Sequence, residues 1–252
     1  MTIDAADAAQ IVQLKGLWQL AFHDDGAFID GFFSHGFAPE RCRCVSIGGQ
    51  VAAALYWFDC ECRGQKMAYL YAVATHPDFQ GRGLCRRLMA DTHAHLRSLG
   101  YTGVLLVPQN EGLRAMYRKM GYRDCSAIAE FFCTDDPYPV TIHAIDPEEY
   151  GRLRKSYLPE GSVIQEGVSL TFLSTYAKFY KGLDFILAAA ADGDSLFGME
   201  LLGNREAAPG VLCALGFSQG TFRTMGGSMP FAMFCPLADG AVVPDYFGFA
   251  FD

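Results

Sequence analysis

The sequence predicts an α/β fold, because segments with strand patterns alternate with amphipathic helices along most of the chain. Residues 67–75 form an apolar run rich in Tyr, Val and Ala, and a glycine loop and an amphipathic helix follow it. Residues 103–120 repeat the order of strand, loop and helix, and residues 185–217 contain two more apolar strands and another helix. We therefore expect a sheet covered by helices, with the pattern duplicated in the second half.

The segment before the central strand predicts two helices and a hairpin. Apolar side chains recur at helical spacing through residues 7–35, with a break at residues 23–26. Residues 42–48 and 50–59 have strand patterns, and the Gly-Gly pair at their junction favours a tight turn. Beyond the central unit, the patterns predict a strand at 103–107, a helix at 111–120, a strand at 126–133 and helices at 147–157 and 169–180.

Two cysteine pairs raise the question of a metal site. Cys42 and Cys44 lie on one predicted strand, and Cys60 and Cys62 lie at the end of the next. The Gly-Gly turn places the first pair opposite residues 54–56, away from the second pair. A C-x-C spacing also differs from the usual spacing of zinc ligands. We therefore expect buried, reduced thiols and no metal.

The loop after the central strand predicts an anion-binding site. Gly81 and Gly83 precede a helix at 84–99, whose first backbone N–H groups have no partner within the helix. Glycine lets the backbone approach a ligand closely, and the helix dipole adds positive charge at the same end. These features suit a diphosphate. The neighbouring arginines either add charge at the rim or remain solvated: Arg82, Arg86 and Arg87.

The overall composition limits the function classes. The 252 residues carry a net charge of −8 and are 51% hydrophobic, which suffices for one large domain or two ordinary ones. An acidic chain is unlike a nucleic-acid-binding protein, although it is compatible with a cationic amine substrate. The sequence has neither a signal-like N-terminus nor a membrane-spanning apolar run, so we expect a soluble cytoplasmic protein with no membrane partner.

Two motifs make the chain resemble the GCN5-related N-acetyltransferase (GNAT) superfamily. In the loop, Gln80 and Gly83 match the family pattern, whereas Cys85 replaces a Gly or Ala. The second motif follows the 103–107 strand and has family residues at Asn110, Ala115, Tyr117, Gly121 and Tyr122. The resemblance implies a mixed, largely antiparallel sheet flanked by helices. It also implies acetyl-CoA as co-substrate.

The resemblance also implies roles for individual residues. The backbone N–H of Val73 polarises the thioester carbonyl, and Asn110 with its helix lines the pantetheine arm. Tyr117 is the general acid that protonates the departing thiolate. The implied acetyl-CoA-binding residues are Val73, Ala74, Thr75, Gln80, Gly81, Arg82, Gly83, Leu84, Cys85, Asn110 and Tyr117. The general base stays open among water, Tyr69, Tyr71, Glu40, Asp59, Glu61, His23, His35 and the C-terminal carboxylate of Asp252.

The second half contains what we interpret as a degenerate copy of the same fold. Residues 204–217 follow an apolar strand, begin with Asn and end in Gly-aromatic, as residues 110–122 do. In this alignment Leu212 or Cys213 takes the place of Tyr117, and no glycine loop comes before the strand. We therefore do not expect the second half to bind acetyl-CoA as the first half does.

An acidic, proline-containing stretch at 135–139 predicts a domain boundary. We expect a catalytic domain at 1–136 and a degenerate GNAT-like domain at 140–252. The aromatic C-terminal segments, residues 231–237 and 246–251, are expected to pack against the first half and shape the acceptor pocket. Residues 222–227 form either a binding loop there or an ordinary hairpin.

The predicted activity is transfer of an acetyl group from acetyl-CoA to a primary amine of a small molecule, by direct attack in a ternary complex. The acyl group could also be longer than acetyl. One alternative hypothesis is a non-catalytic sensor or scaffold that binds acetyl-CoA without turnover, and another is a nucleotide-binding protein that uses the same loop. The partners are thus acetyl-CoA and an amine, and a homodimer stays open.

Overall fold

A computed structural model of the chain describes residues 1–251. The helices are α1 (Ile11–Phe22), α2 (Gly26–His35), α3 (Leu84–Ser98), α4 (Glu111–Arg118), α5 (Pro147–Tyr157), α6 (Val168–Leu173) and α7 (Ala208–Leu215). The strands are β1 (Thr2–Asp4), β2 (Cys42–Ile47), β3 (Gln50–Cys62), β4 (Gln65–Thr75), β5 (Gly103–Leu106), β6 (Arg123–Asp124), β7 (Ala127–Thr134), β8 (His143–Ile145), β9 (Lys178–Lys181), β10 (Phe185–Asp192), β11 (Ser195–Gly203), β12 (Gln219–Met225), β13 (Met229–Pro230) and β14 (Met233–Pro236).

The strands form two seven-stranded sheets with matching topology. The first has the order β1-β2-β3-β4-β5-β14-β6, and the second has the order β8-β9-β10-β11-β12-β7-β13. In each sheet an antiparallel meander leads to one parallel pair, β4 with β5 or β11 with β12, joined by a crossover helix. The fold is therefore a mixed α/β fold present twice, as the sequence predicts.

The two sheets exchange one strand each. Strand β14, from the second half of the chain, lies between β5 and β6 in the first sheet. Strand β7, from the first half, lies between β12 and β13 in the second sheet. The strand expected to close the first domain thus exists but pairs with the second sheet. The domain limits at 1–136 and 140–252 stay a prediction, and each range lacks one strand of the sheet that it mostly builds.

The topology corrects the alignment of the internal repeat. Helix α7 connects the parallel strands β11 and β12, so its counterpart is α3, which connects β4 and β5. It is not α4, with which the sequence pattern aligned it. The second sheet has a short turn at residues 226–228 where the first has α4. Consequently neither Leu212 nor Cys213 stands in the place of Tyr117.

Two other expectations need correction in the second half. The helix predicted at 169–180 ends at Leu173, and residues 178–181 form β9 instead. Residues 222–224 belong to β12, and the turn that follows is not a hairpin, because β12 and β13 pair with opposite edges of β7. Gly227 is required there, since a Cβ atom would lie 2.3 Å from the carbonyl oxygen of Ile128.

The first half follows the sequence patterns closely. The break between α1 and α2 occurs at His23, which has a left-handed backbone (φ 62°), and Asp25 caps α2 by accepting a hydrogen bond from the N–H of Phe28. The hairpin register pairs Cys42 with Tyr56 and Cys44 with Ala54, as predicted. No helix within residues 1–251 combines the length and apolar character needed to cross a membrane.

The core between the sheets contains one buried ion pair. Arg154 on α5 and Glu200 on β11 are 1% and 0% exposed, and Arg154 Nε donates to Glu200 Oε2 at 2.6 Å. The hydroxyls of Tyr150 and Tyr246 also donate to this carboxylate, at 3.0 and 3.1 Å. Because every polar group of the pair is bonded, the charges are tolerated in the interior. Tyr246 thereby joins the C-terminal segment to the second sheet.

Candidate active site

The parallel strands β4 and β5 separate part of the way along their length. They pair at only three positions, from Met67 with Gly103 to Tyr69 with Leu105, whereas β4 continues to Thr75. The gap is a cleft between the two strands and α4. It is lined by Phe22, Tyr69, Leu70, Tyr71, Val73, Leu106, Val107, Pro108, Gln109, Leu113 and Tyr117. A narrow apolar cleft between splayed strands can accept an extended chain.

Strand β4 carries a bulge at the side of this cleft. On β3, Tyr56 pairs with Tyr71 and Ala54 pairs with Ala74, so Ala72 and Val73 together face the single residue between. Ala72 has a φ of 48°, which is unusual for a residue with a Cβ atom. A bulge leaves part of the backbone outside the ladder. The backbone around Val73 therefore departs from the regular hydrogen-bonding pattern of a strand.

The loop after β4 has the geometry of an anion cradle. Gly81 and Gly83 have φ values of 74° and 73°, and Cβ atoms at either position would meet no protein atom within 4 Å. Gly83 is the N-cap of the 15-residue helix α3, and no side chain caps that end. The first N–H groups of α3 are therefore directed at open space. The loop conformation and the helix end are suited to an anionic group such as a diphosphate.

Side chains around the loop hold its conformation. Gln80 Nε2 donates to the carbonyl of Thr75 at 3.2 Å, so this side chain ties the loop to the end of β4. Arg82 donates to the carbonyl of Asp78 at 2.8 Å, and its guanidinium lies over the ring of Phe79. Cys85 is half-buried, and burial raises the pKa of its thiol. Leu84 is buried in the core behind the loop.

The other two rim arginines are less closely associated with the loop. Arg86 is exposed and lines a separate surface depression with His93 and Lys119. Arg87 is also exposed, and Nη1 lies 3.8 Å from the sulfur of Met1. Arg86 and Arg87 are therefore better described as solvated surface arginines than Arg82 is.

Helix α4 places Tyr117 in the wall of the cleft. Asn110 caps the helix, because its Oδ1 accepts a hydrogen bond from the N–H of Leu113 at 2.9 Å. Tyr117 is 6% exposed, and its ring packs edge-on against Tyr122 with centroids 5.6 Å apart. Burial raises the pKa of the Tyr117 phenol, with a smaller contribution from Cys85. Tyr117 therefore keeps its proton at neutral pH.

Backbone carbonyls just before β14 hold α4 in position. Arg114, which is 5% exposed, donates from Nη2 to the carbonyls of Pro230 and Phe231, each at 3.1 Å. Its Nη1 donates to the carboxylate of Asp124, which also accepts from Arg118. Residues just before β14 thus anchor the helix that carries Tyr117. The second half contributes to the site through this contact.

A second, larger cavity adjoins the cleft. It has a volume of about 370 Å³. Phe22, Tyr71 and Gln109 line both spaces, and the bulge separates them, with Ala72 facing the larger cavity and Val73 facing the cleft. We call it the aromatic cavity, defined by Trp18, Phe22, Asp24, Phe28, Tyr71, Ala72, Gln109, Tyr176, Ala190, Phe197, Met199 and Phe251.

Most candidates for the general base lie away from the aromatic cavity. Asp59 accepts a hydrogen bond from Tyr101, and Glu61 bridges to Ile164, both at the far end of β3. Glu40, His23 and His35 are exposed, and His35 contacts the carbonyl of Gly31 at 3.1 Å. Tyr69 and Tyr71 line the cleft. Asp252 lies outside the described residues.

The sequence did not single out Asp24 or Gln109, and both line the aromatic cavity. Asp24 Oδ2 accepts a hydrogen bond from Trp18 Nε1 at 2.7 Å. Its neighbour His23 is the candidate from the sequence, because of its position in the pair of N-terminal helices. The only available signal was the position of Asp24 in the break between the two N-terminal helices. Phe197 and Met199, which also line the cavity from the second half, had no signal in the sequence, whereas Phe251 lies in the segment 246–251 that is expected from the sequence at the acceptor pocket.

The equivalent region of the second sheet is closed. Strands β11 and β12 pair from Leu196 with Gly220 as far as Leu201 with Thr224. The hydroxyl of Thr224 donates to the carbonyl of Leu201 at 2.7 Å, so the two strands stay together where β4 and β5 have separated. A proline occupies the first turn of α7. Within residues 140–251, the second half therefore has no cleft like that between β4 and β5.

Comparisons with known proteins agree with this architecture. A family model described as an acetyltransferase (GNAT) domain matches residues 2–125. Solved structures of GCN5-related N-acetyltransferases are similar in fold: that from Anabaena variabilis has a TM-score of 0.73 at 15% identity, covering 94% of this chain and 73% of that chain. That from Kribbella flavida has a TM-score of 0.68 at 16% identity, covering 94% and 72%.

A tandem GNAT protein from the clavulanic acid biosynthesis pathway has a TM-score of 0.59 at 15% identity. The similarity covers 95% of this chain and 99% of that chain, so it extends over both sheets. Among curated proteins none matches this chain. Residues 2–125 belong to the GCN5-related N-acetyltransferase superfamily, and the fold of the whole chain is similar to that of a tandem GNAT protein.

Proposed function

We propose that the protein transfers an acetyl group from acetyl-CoA to a primary amine of a small molecule, by direct attack in a ternary complex. The observation that carries this proposal is the continuity of the cleft with the aromatic cavity across the bulge at Ala72 and Val73. A thioester in the cleft and an amine in the cavity would meet at this bulge. Such an arrangement favours direct transfer.

The loop and α3 bind the diphosphate in this proposal. Backbone N–H groups from Gly81 to Cys85 supply the hydrogen bonds, and Gln80 keeps the loop attached to β4. Arg82 adds positive charge at the rim. Ala74 and Thr75 present backbone to the pantetheine arm, whose other side is covered by α4 behind Asn110. The arm then runs down the cleft between β4 and β5.

The chemistry requires an oxyanion partner and two proton transfers. The N–H of Val73 donates to the carbonyl oxygen of the thioester and stabilises the charge that develops there. The ammonium loses a proton to water, the free amine attacks the carbonyl carbon, and the carbon–sulfur bond breaks. Tyr117 gives its proton to the thiolate and regains one from water. The nitrogen loses its second proton as the amide forms.

One observation favours the alternative, a sensor that binds acetyl-CoA without turnover. Neither a carboxylate nor a histidine is found among the described residues that line the cleft. A catalyst that relies on water as base is compatible with this, and Asp24 lies in the adjoining cavity. Tyr117 and the bulge have no evident purpose in a sensor. We therefore favour transfer.

Ligand-induced thermal shifts and thiol release test the proposal. We expect acetyl-CoA and CoA to raise the melting temperature and ATP to leave it unchanged, because ATP lacks the pantetheine arm. We then expect free thiol to appear when amines are added with acetyl-CoA. Binding without thiol release across a broad amine panel would establish the sensor, and absence of binding would refute the site.

A further inference from the structure

We propose that the aromatic cavity binds a primary ammonium carried on an apolar, ring-bearing body, and that this is the acceptor class. The identification of this ligand as the acceptor rests on the proposed function. The chemistry of the ligand is inferred from the cavity alone. Three observations carry it: the character of the walls, the single carboxylate, and the position of the cavity relative to the bulge.

The walls of the cavity are formed mainly by aromatic rings. Trp18, Phe22 and Phe28 come from the N-terminal helices, and Phe197 and Phe251 come from the second half. These rings also pack on one another, since the Trp18 centroid lies 5.9 Å from Phe22 and 6.4 Å from Phe28. A wall of this kind gains from contact with an apolar ring. It offers few hydrogen-bond partners to the many hydroxyls of a sugar.

Asp24 is the only charged side chain among the described lining residues of the cavity. The hydrogen bond from Trp18 Nε1 to Oδ2 fixes its carboxylate beside the indole ring. An ammonium there gains a charge-assisted hydrogen bond from the carboxylate and an electrostatic attraction from the faces of the rings. One carboxylate matches one ammonium. A polyamine or a polycationic sugar would leave its further charges unpaired against aromatic walls.

The second half fixes one of these walls. The guanidinium of Arg223 lies over the ring of Phe197 at 4.8 Å and pairs with Glu130 of β7 at 3.1 Å. Arg223 of β12 therefore holds the Phe197 ring in place, and Glu130 of the exchanged strand β7 holds Arg223. The volume of about 370 Å³ is in the range for a small ligand. A ring with a short aminoalkyl chain is of suitable size.

The position of Asp24 argues against a long acyl chain as the occupant. An acyl chain extending from the thioester past the bulge would place methylene groups against a carboxylate. An ammonium in the same place would be paired. The two occupants predict different substrate preferences. A long acyl chain in the cavity would make the protein selective for the acyl-CoA, whereas an ammonium there would make it selective for the amine.

Binding measurements with three matched compounds test the inference without requiring turnover. Calorimetry on the CoA-loaded protein would compare 2-phenylethylamine, its neutral analogue 2-phenylethanol, and putrescine. We expect 2-phenylethylamine to bind at least about tenfold more tightly than either, because only it uses both the rings and Asp24. Asp24→Asn should remove the preference over 2-phenylethanol, and the surface variant Asp30→Asn should keep it. Phe197→Ser should weaken both phenyl compounds.

Thiol-release assays separate failure of this inference from failure of the proposed function. Faster turnover of putrescine or glucosamine than of 2-phenylethylamine would overturn the inference and leave acetyl transfer intact. A preference for hexanoyl-CoA over acetyl-CoA, with no binding of 2-phenylethylamine, would also overturn it. Tight, Asp24-dependent binding of 2-phenylethylamine without thiol release would support the amine site and contradict the transfer reaction.

Discussion

The hydroxyl of Tyr71 on β4 donates a hydrogen bond of 2.9 Å to the backbone carbonyl of Phe251, 180 residues later in the chain. Both side chains line the aromatic cavity. The C-terminal segment reaches this point through the interior, where Phe247 and Phe249 are buried and the carbonyl of Phe249 accepts from Gln165 at 3.1 Å. The second half of the chain therefore completes the cavity that adjoins the first-half cleft.

Separation of the halves should unfold both. Residues 1–136 lack β14, which pairs with β5 and β6, and residues 140–252 lack β7, which pairs with β12 and β13. We expect each fragment alone to be non-cooperative in urea unfolding, and co-expressed fragments to form a complex that binds acetyl-CoA. A cooperative, monomeric 1–136 fragment that binds acetyl-CoA would show that the strand exchange is dispensable.

The buried ion pair should be important for stability. Arg154→Leu leaves the Glu200 carboxylate unpaired in the interior, so we expect a loss of about 3 to 5 kcal/mol in the free energy of unfolding. Lys155→Ala is the matched control, because the adjacent Lys155 forms an exposed pair with Glu166 at 2.8 Å. It should cost less than about 1 kcal/mol. Equal losses in urea titrations of the two variants would contradict the assigned role.

The phosphate cradle can be tested with two glycines of similar backbone. Gly83 and Gly100 have φ values of 73° and 80°, and both have open space where a Cβ atom would be. Alanine at either position should cost about 1 to 2 kcal/mol of stability through backbone strain. Only Gly83→Ala should weaken acetyl-CoA binding, by about tenfold or more, because only there does a ligand approach. Equal binding by both variants in calorimetry would disprove the cradle.

Stability should fall between about pH 6.5 and pH 4 because of His93. Burial, with a smaller contribution from Arg97, lowers the pKa of His93 to about 4, and its Nε2 is bonded to the Tyr122 hydroxyl at 2.7 Å. The unfolded chain, with a histidine pKa near 6.5, binds more protons in this window, so protonation favours unfolding. The loss amounts to about 3 kcal/mol over the full window.

His93→Gln should reduce this pH dependence, and His35→Gln, a change at an exposed histidine, should leave it unchanged. Urea unfolding at pH 7 and pH 5 measures both. An unchanged difference between the two pH values in His93→Gln would assign the effect to other groups.

Local patterns were sufficient to predict most elements and the loop. Helix α5 has the predicted bounds, Pro147–Tyr157, because a capping Asp146 and a following proline mark its start. The glycine loop, the helix after it and the register of Cys42 and Cys44 also follow from short-range chemistry. The strand exchange does not, because the alternating pattern of β7 is the same whichever sheet it joins.

The misaligned repeat has a physical explanation. Asn110 and Asn204 both accept hydrogen bonds from N–H groups at a helix start, and Gly121 and Gly216 both have positive φ near a helix end. Asparagine and glycine are the usual residues at these positions in any helix. The similarity between the two blocks therefore reflects capping. Asp24 was missed for a different reason, since the cavity combines residues from distant segments.

Acetyl transfer with Tyr117 as the proton donor is tested most directly by Tyr117→Phe. With the amine that gives the fastest thiol release, we expect kcat to fall by about 100-fold or more and the Kd for acetyl-CoA to stay within about twofold. Tyr101→Phe, a change at a buried tyrosine bonded to Asp59, should retain the wild-type kcat. A wild-type kcat in Tyr117→Phe would contradict the proposed role of Tyr117 as the proton donor.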